Sequence, residues 1–301
     1  MTQLDLKCLH EIENGLLEGP RFDAKSNMLI FSDARNGGVL GLDSKGQVKT
    51  LNAHRKGIGG VALHEKGGCV VTGRTVAYKP FDVNGQALTT INLIDRDEAT
   101  NRVGFNDLAI DKKGRIYVGS MGFVAMEADI DDPLLPPGTF WLIELDGSYR
   151  AVADDIRITN GTAISEDERV LYLSDSGRKA VLAFDIDSVT GDLKNRRLFC
   201  NCPSGVPDGM AIAEDGSLWL TLAYAGKIIR YDKSGAVMQE FNVPDSMVTS
   251  VCFGGNDLRT LYVVTGAEGK DPKQKAHVFS CRVDVAGIPV HYAKTPTEIF
   301  N

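Results

Sequence analysis

Apolar and β-branched residues occur along this chain in short runs, and Gly, Asp, Asn and Ser separate one run from the next. The helical period, in which apolar residues recur at every third or fourth position, is nearly absent. Runs such as 29–31, 116–118 and 218–220 each follow a polar turn. Short strands bounded by turn residues are typical of an all-β protein.

A six-residue sequence recurs along the whole chain. Its copies share a large apolar residue in the fifth position, and five of the six copies have a small residue in the fourth. The copies begin at Glu18, Gly59, Asn106, Asn160, Asp208 and Thr249. Each copy starts a unit of roughly 40–50 residues that holds four predicted strands, which is the repeat of a β-propeller. We therefore expect residues 1–301 to form one all-β domain, a six-bladed β-propeller with four antiparallel strands per blade.

Two segments compete to close the ring of blades. The predicted strand 4–10 precedes the first repeat, and it is expected to pair as the outermost strand of the sixth blade. The residues after Gly287 are the alternative, and the sequence does not decide between the two.

Composition excludes several classes of function. The chain has 33 Lys and Arg against 40 Asp and Glu, a formal net charge of −7, which argues against binding to nucleic acid or to an anionic membrane. It contains neither an apolar stretch long enough to cross a bilayer nor the features of a signal peptide, so we expect a cytoplasmic protein. The six cysteines are scattered. Cys200 and Cys202 form a CxC rather than a CxxC, and buried free thiols are the simplest interpretation.

The first position of each repeat carries the candidate chemistry. The first strand of a propeller blade lines the central channel, so its first residue lies at one mouth of that channel. Glu18, Asn106, Asn160 and Asp208 are oxygen donors in this position, and two carboxylates with two amides suit a hard cation. Ca²⁺ fits best, while Zn²⁺, Mn²⁺, Mg²⁺ or Fe²⁺ with several waters stays open. Asn-Gly and Asp-Gly are also turn dipeptides, but a turn does not require the same position in every repeat.

Further groups are expected at the same mouth. The second strand of each blade returns to this face, and Asp175 ends one of these strands, which makes it a candidate substrate contact. The long acidic insertion 122–138 follows another, and its position makes it a candidate lid.

Several segments resemble the senescence-marker protein, regucalcin and gluconolactonase group of six-bladed lactonases. They include Glu18-Gly19-Pro20, 105–107, 160–165 and 207–210, together with 114–121 and 171–176. The resemblance spans nearly the whole chain. It implies one divalent cation at the channel mouth, held at Glu18, Asn160 and Asp208, with Asn106 facing the metal or the substrate, and it implies hydrolysis of a lactone.

The sequence departs from this group where a sugar would be recognised. An Arg is often found two residues before the third-blade Asn, but Gly104 stands there and the nearest Arg is Arg102. An acidic residue is often found beyond the second strand of that blade, where this chain has Met121 and Phe123. Arg102, Met121 and Phe123 are therefore the candidate substrate contacts, and a lactone or ester less polar than a sugar-acid lactone becomes plausible.

The expected activity is cation-dependent opening of a lactone, with Asp208 as the base for water and Asn106 orienting the substrate. Its partner is then a small-molecule lactone or ester, and the oligomeric state is unknown. One alternative is a non-catalytic calcium-binding propeller with a regulatory or interaction role. A second is phosphotriesterase activity, because related propellers carry a similar set of Glu, Asn, Asn and Asp. An enzyme like strictosidine synthase is disfavoured by the four oxygen donors.

Overall fold

The computed structural model describes residues 4–53, 55–124, 128–129, 132, 134–269 and 271–298. They form six four-stranded antiparallel sheets, so the predicted six-bladed β-propeller is confirmed. Short 3₁₀ helices occur at Glu98–Thr100 and Ser176–Arg178. Within the described residues, we find no helix with the length and apolarity needed to cross a membrane.

The strands of the first three blades follow chain order from the channel outward. The first strand of the chain, β1 (Lys7–Glu13), belongs to the last blade. Blade one consists of β2 (Leu17–Asp23), β3 (Met28–Asp33), β4 (Val39–Asp43) and β5 (Val48–Asn52). Blade two consists of β6 (Val61–Leu63), β7 (Cys69–Val71), β8 (Val76–Lys79) and β9 (Ile91–Ile94). Blade three consists of β10 (Gly104–Ile110), β11 (Ile116–Met121), β12 (Gly138–Ile143) and β13 (Tyr149–Ile156).

The remaining blades repeat this arrangement. Blade four consists of β14 (Thr159–Ile164), β15 (Val170–Asp175), β16 (Ala180–Ile186) and β17 (Leu193–Asn201). Blade five consists of β18 (Val206–Ile212), β19 (Leu218–Ala223), β20 (Lys227–Tyr231) and β21 (Val237–Asn242). Blade six consists of β22 (Val248–Gly254), β23 (Thr260–Thr265) and β24 (Lys275–Arg282), with β1 outermost.

The N-terminal strand closes the ring. β1 pairs antiparallel with β24, from Lys7 opposite Ser280 to Glu13 opposite Lys275. The strand begins three residues later than the predicted segment 4–10. Of the two alternatives left open by the sequence, the N-terminal segment is therefore the one that completes the last blade.

A β-bulge recurs at the start of the repeat. In blades one, three, four and five, the pairing of the first and second strands shifts within the first four repeat positions. The shifts lie between Glu18 and Arg21, Phe105 and Leu108, Thr159 and Thr162, and Pro207 and Met210. A bulge bends a strand and re-aims the side chains at its site. The first repeat positions therefore lie at the irregular part of the ladder at the channel mouth, and Glu18 is still paired with Ser32 there.

Glycine in the second repeat position allows neighbouring first strands to approach one another closely. A Cβ on Gly161 would lie 2.1 Å from the backbone oxygen of Asp208, and a Cβ on Gly209 would lie 1.9 Å from Oγ of Ser250. Real Cβ atoms do not approach other atoms so closely. The repeated glycine thus reflects packing around a narrow channel as well as turn preference.

Hydroxyl groups join several neighbouring blades. The hydroxyl of Ser174 donates to the backbone oxygen of Asp208 at 2.8 Å, and that of Thr221 donates to Thr249 at 3.0 Å. The hydroxyl of Thr249 in turn donates to the backbone oxygen of Leu17 at 2.5 Å, which links the last blade to the first. These bonds satisfy buried backbone acceptors at the seams between blades.

The C-terminal segment 287–295 crosses the other end of the channel. Its backbone N–H groups donate to strand ends of different blades: Ile288 to Ile212 at 3.1 Å and Ala293 to Leu63 at 2.8 Å. A cavity of about 110 Å³ lies between this segment and the first strands. Small fourth-position residues such as Ala109 line it. The small fourth position of the repeat therefore leaves space inside the channel, away from the mouth that carries the first positions.

His64 holds this segment in place, and its burial makes stability depend on pH. Its Nε2 lies 3.0 Å from the backbone oxygen of Thr295, and its Nδ1 accepts from the N–H of Lys66 at 3.2 Å. This arrangement suits the neutral ring. Burial lowers the pKa of His64 below its ordinary 6.5.

We expect the contribution of His64 to stability to be lost as the pH falls below about 6.5. In that range His64 is protonated in the unfolded chain but stays neutral in the folded protein, so unfolding becomes more favourable as the pH falls. Thermal unfolding from pH 7.5 to 5.5 measures the effect. His64→Gln is expected to flatten the slope, and burial also lowers the pKa values of His10 and His291, so some slope stays. An unchanged slope in His64→Gln would show that His64 is not responsible.

Candidate metal and active site

The first strands of blades one, four and five bring their first residues close together. Glu18 and Asp208 lie on blades that are separated only by blade six, and burial together with the charge of Asp208 raises the pKa of Glu18 well above its ordinary value. The side-chain amide of Asn160 donates to the carboxylate of Asp208. The structure thus places three of the four predicted ligands next to one another at the channel mouth.

Asp208 is a buried carboxylate with an unsatisfied oxygen. Its side chain is 5% exposed, and its Oδ1 has no hydrogen-bond partner among the described residues. Burial and the nearby charge of Asp107 raise its pKa well above the ordinary value. A buried carboxylate oxygen without a donor is costly unless a proton or a cation compensates it.

The amide of Asn106 is oriented by its neighbours. Its Nδ2 donates to the backbone oxygen of Thr159 at 3.0 Å, which leaves Oδ1 as the free end of the amide. That oxygen occupies the space beside Gly59, where a Cβ would lie only 1.7 Å from it. Gly59 is the first residue of the second repeat. The missing side chain in that position therefore makes room for the amide of the next blade.

A third carboxylate, Asp107, lies beneath these groups and was not expected from the sequence. Its Oδ1 lies 3.3 Å from Nη2 of Arg21, and its Oδ2 accepts from the N–H of Thr162 at 3.2 Å. Arg21 also donates to the backbone oxygen of Leu108 at 3.0 Å. The pair joins blade one to blade three across the channel, in front of blade two.

The repeat itself held a signal for this pair. Four of the six copies have glycine in the second position, whereas the third copy has Asp107. Five copies have a small residue in the fourth position, whereas the first has Arg21. Arg21 and Asp107, which replace the usual small residues of the repeat, thus pair with each other. A comparison of the six copies could have suggested this pairing.

The donor set fits a hard cation. Among the described residues no group of three or more His, Cys, Asp and Glu side chains is arranged to hold a metal. Amide oxygens must therefore complete any site here. The carboxylates of Glu18 and Asp208 with the amides of Asn160 and Asn106 are oxygen ligands of the kind that Ca²⁺ and Mg²⁺ prefer.

Two of the predicted substrate contacts are engaged elsewhere. The guanidinium of Arg102 lies 5.1 Å from the ring of Trp141 and 5.7 Å from that of Tyr149, on the outer strands of blade three. Asp175 is fully buried, and it accepts from Arg178 at 2.6 Å and from the N–H of Ile158 at 3.2 Å. In the structure, Asp175 binds the backbone just before β14, and Arg102 lies against aromatic rings of the outer strands.

Met121 and Phe123 anchor the insertion 122–138. Both are buried in a small cluster with Ile158, and the partly buried Ala128 and Leu135 of the insertion pack against it. Residues 125–127, 130, 131 and 133 lie outside the described part of the chain. The described part of the candidate lid therefore packs on Ile158, which lies two residues before Asn160.

Comparison with known proteins agrees with this architecture. Residues 16–267 match the family model described as SMP-30/Gluconolactonase/LRE-like region. Regucalcin of Gallus gallus is 32% identical over 300 residues, covering 96% of this chain and 98% of its own. A gluconolactonase from Xanthomonas campestris superposes with a TM-score of 0.74 at 25% identity, covering 92% of this chain and 89% of that one.

A further solved structure shows the same fold at lower identity. A regucalcin from Agrobacterium tumefaciens str. C58 superposes with a TM-score of 0.82 at 18% identity, covering 97% of this chain and 99% of its own. The family model alone spans most of the propeller, from the start of the first blade into the last. The chain belongs to the SMP-30/gluconolactonase/LRE-like family.

Proposed function

We propose that this protein is a lactonase that depends on a divalent cation, with Ca²⁺ as the first candidate. The observation that carries the proposal is the buried Oδ1 of Asp208, which has no partner among the described residues and lies beside the amide of Asn160. Membership of a family that includes gluconolactonases supports hydrolysis of a lactone. The solved regucalcin from Agrobacterium tumefaciens is described as a calcium-binding protein, which supports Ca²⁺.

The residues divide the chemistry between them. Glu18, Asn160 and Asp208 would hold the cation, with Asn106 completing the set. When bound, the cation supplies Lewis-acid polarisation of the lactone carbonyl. Asp208 orients a water molecule through Oδ1 and accepts its proton as the water oxygen adds to the carbonyl carbon. The ring C–O bond then breaks, the ring oxygen takes up a proton, and a hydroxy acid leaves.

The side chains near the mouth bear on the class of substrate. Met121, Phe123 and Ile158 form a buried apolar cluster next to the strand that carries Asn160, and Arg102 is held against Trp141. The proposal therefore includes both sugar-acid lactones and lactones or esters with an apolar substituent. Phosphotriester hydrolysis is a further activity to assay at the same site.

Removal and return of metal tests the proposal. Protein treated with a chelator is expected to open no lactone, and addition of Ca²⁺, Mg²⁺, Mn²⁺, Zn²⁺ or anaerobic Fe²⁺ is expected to restore activity with at least one cation. A panel of sugar, aliphatic and aromatic lactones, with one phosphotriester, identifies the substrate class. A thermal shift with each cation reports binding separately. Binding without hydrolysis of any compound would favour the non-catalytic calcium-binding alternative.

A further inference from the structure

A pair of thiols at the end of blade four forms a polar contact that the proposed function does not use. Cys200 ends β17, and Cys202 follows it, with its N–H bound to the backbone oxygen of Lys179 at 2.7 Å. A bulge shifts the register of β17 just before Cys200. The side chains of Cys200 and Cys202 are hydrogen-bonded to each other and to the hydroxyl of Tyr231.

The contact is buried between blades four and five. Cys200 is 8% exposed and Cys202 is 1% exposed, and both pack in one cluster with Tyr231 and Tyr172. Both thiols are free. Only Asn201 separates the two cysteines along the chain, and Cys200 reaches the surface with a small part of its area.

The surroundings make the two thiols unequal. The thiol of Cys202, the hydroxyl of Tyr231 and the backbone N–H of Val181 stabilise the charged sulfur of Cys200, and together they lower its pKa. The same contact raises the pKa of Cys202. Burial raises the pKa of Cys69 and Cys252 to about 12. Because the thiolate is the nucleophile, Cys200 is favoured as the reactive member.

We propose that Cys200 and Cys202 are a peroxide-sensitive dithiol that closes to an intrachain disulfide, with Cys200 as the nucleophile and Cys202 as the resolving thiol. The sulfur of Cys200 attacks one oxygen of hydrogen peroxide, the O–O bond breaks, and the products are a sulfenic acid and water. The sulfur of Cys202 then attacks the sulfenic sulfur. The S–S bond forms, a second water leaves, and the two thiols have reduced one peroxide.

Peptide mass spectrometry after treatment with hydrogen peroxide tests the proposal. The reduced, folded protein is expected to lose two hydrogens in the peptide that contains both cysteines, and dithiothreitol is expected to restore them. Circular dichroism confirms that the treated protein stays folded. If both thiols still react with an alkylating agent after peroxide treatment, or if Cys200 goes directly to a sulfinic acid in the wild type, the proposal is wrong.

Single variants separate the two roles. In Cys202→Ser the sulfenic acid is expected to persist on Cys200, where a cyclic 1,3-dione traps it, whereas in Cys200→Ser the thiol of Cys202 is expected to stay reduced. Tyr231→Phe removes one hydrogen bond to the Cys200 sulfur and is expected to slow oxidation about two- to tenfold. Cys69→Ser alters a buried thiol in blade two and serves as the matched control, with oxidation as in the wild type. Equal trapping on either cysteine would overturn the assignment.

Discussion

Replacing Asp208 with asparagine is expected to reduce cation-dependent lactone hydrolysis by at least about 100-fold, because the site loses both a charged ligand and the base for water. The change keeps the size of the side chain. It also removes a buried negative charge whose Oδ1 has no donor among the described residues. The metal-free variant is therefore expected to melt at the same temperature as the metal-free wild type, or higher.

Cation binding should separate the two proteins further. Wild-type protein is expected to gain stability with added cation, because under the proposal only the folded state binds it, whereas Asp208→Asn is expected to gain little. Kinetic assays and thermal unfolding with and without Ca²⁺ measure both effects. Activity within about tenfold of the wild type would exclude Asp208 as the base, since general bases commonly contribute more.

Asp175→Asn is the matched control for this variant. Asp175 is also a buried carboxylate at the channel mouth, but Arg178 and backbone N–H groups satisfy it. Its replacement is expected to lower the melting temperature, since it loses charge-assisted hydrogen bonds, and to leave the activity per folded molecule nearly unchanged. The two variants thus have opposite expected effects on stability and activity. A fall in melting temperature of metal-free Asp208→Asn to match Asp175→Asn would contradict this assignment.

Substituting alanine for Gly59 is expected to weaken cation affinity or activity about 10- to 100-fold, the range found when a ligand loses its correct orientation. The added Cβ would lie 1.7 Å from Oδ1 of Asn106. That oxygen is the end of a rotatable side chain, so the amide is displaced while the backbone is retained. Isothermal titration with Ca²⁺ and kinetic assays measure the loss, and thermal unfolding without cation is expected to change little.

Gly161→Ala provides the contrast. There the added Cβ would lie 2.1 Å from the backbone oxygen of Asp208 and 2.8 Å from Cα of Gly209, so the backbone itself must shift. We expect a large loss of stability at this position. Undiminished cation affinity in Gly59→Ala would show that the amide of Asn106 does not contribute to the site.

The repeat carried most of what could be predicted about the fold. A fixed order of apolar, small and turn residues specifies strands that cannot bury their apolar faces alone, and six copies complete a ring. The first repeat position named Glu18, Asn106, Asn160 and Asp208 because a shared position in the repeat places residues at a shared level of the channel. The sequence could not decide which end of the chain closes the ring, because both flanking segments have strand-like composition.

The parts that sequence reasoning missed depend on contacts between blades. The bulge that re-aims the first positions is a property of strand pairing and has no composition of its own. The pairing of Arg21 with Asp107 joins copies that are not adjacent in the ring. Asp175 was predicted from its place at a strand end and Arg102 from its nearness in sequence to Asn106, but position along the chain does not tell which way a side chain faces.

The segment 287–295 covers the end of the channel that lies away from the first repeat positions. Arg21 and Asp107 cross the channel below the proposed ligands, and this segment runs across its far end. Under the proposed function, the lactone must enter and the hydroxy acid must leave through the same mouth of the channel. Under the same proposal, the product carboxylate would bind at the same cation-binding position that the next substrate needs, so the hydroxy acid is expected to inhibit the enzyme competitively.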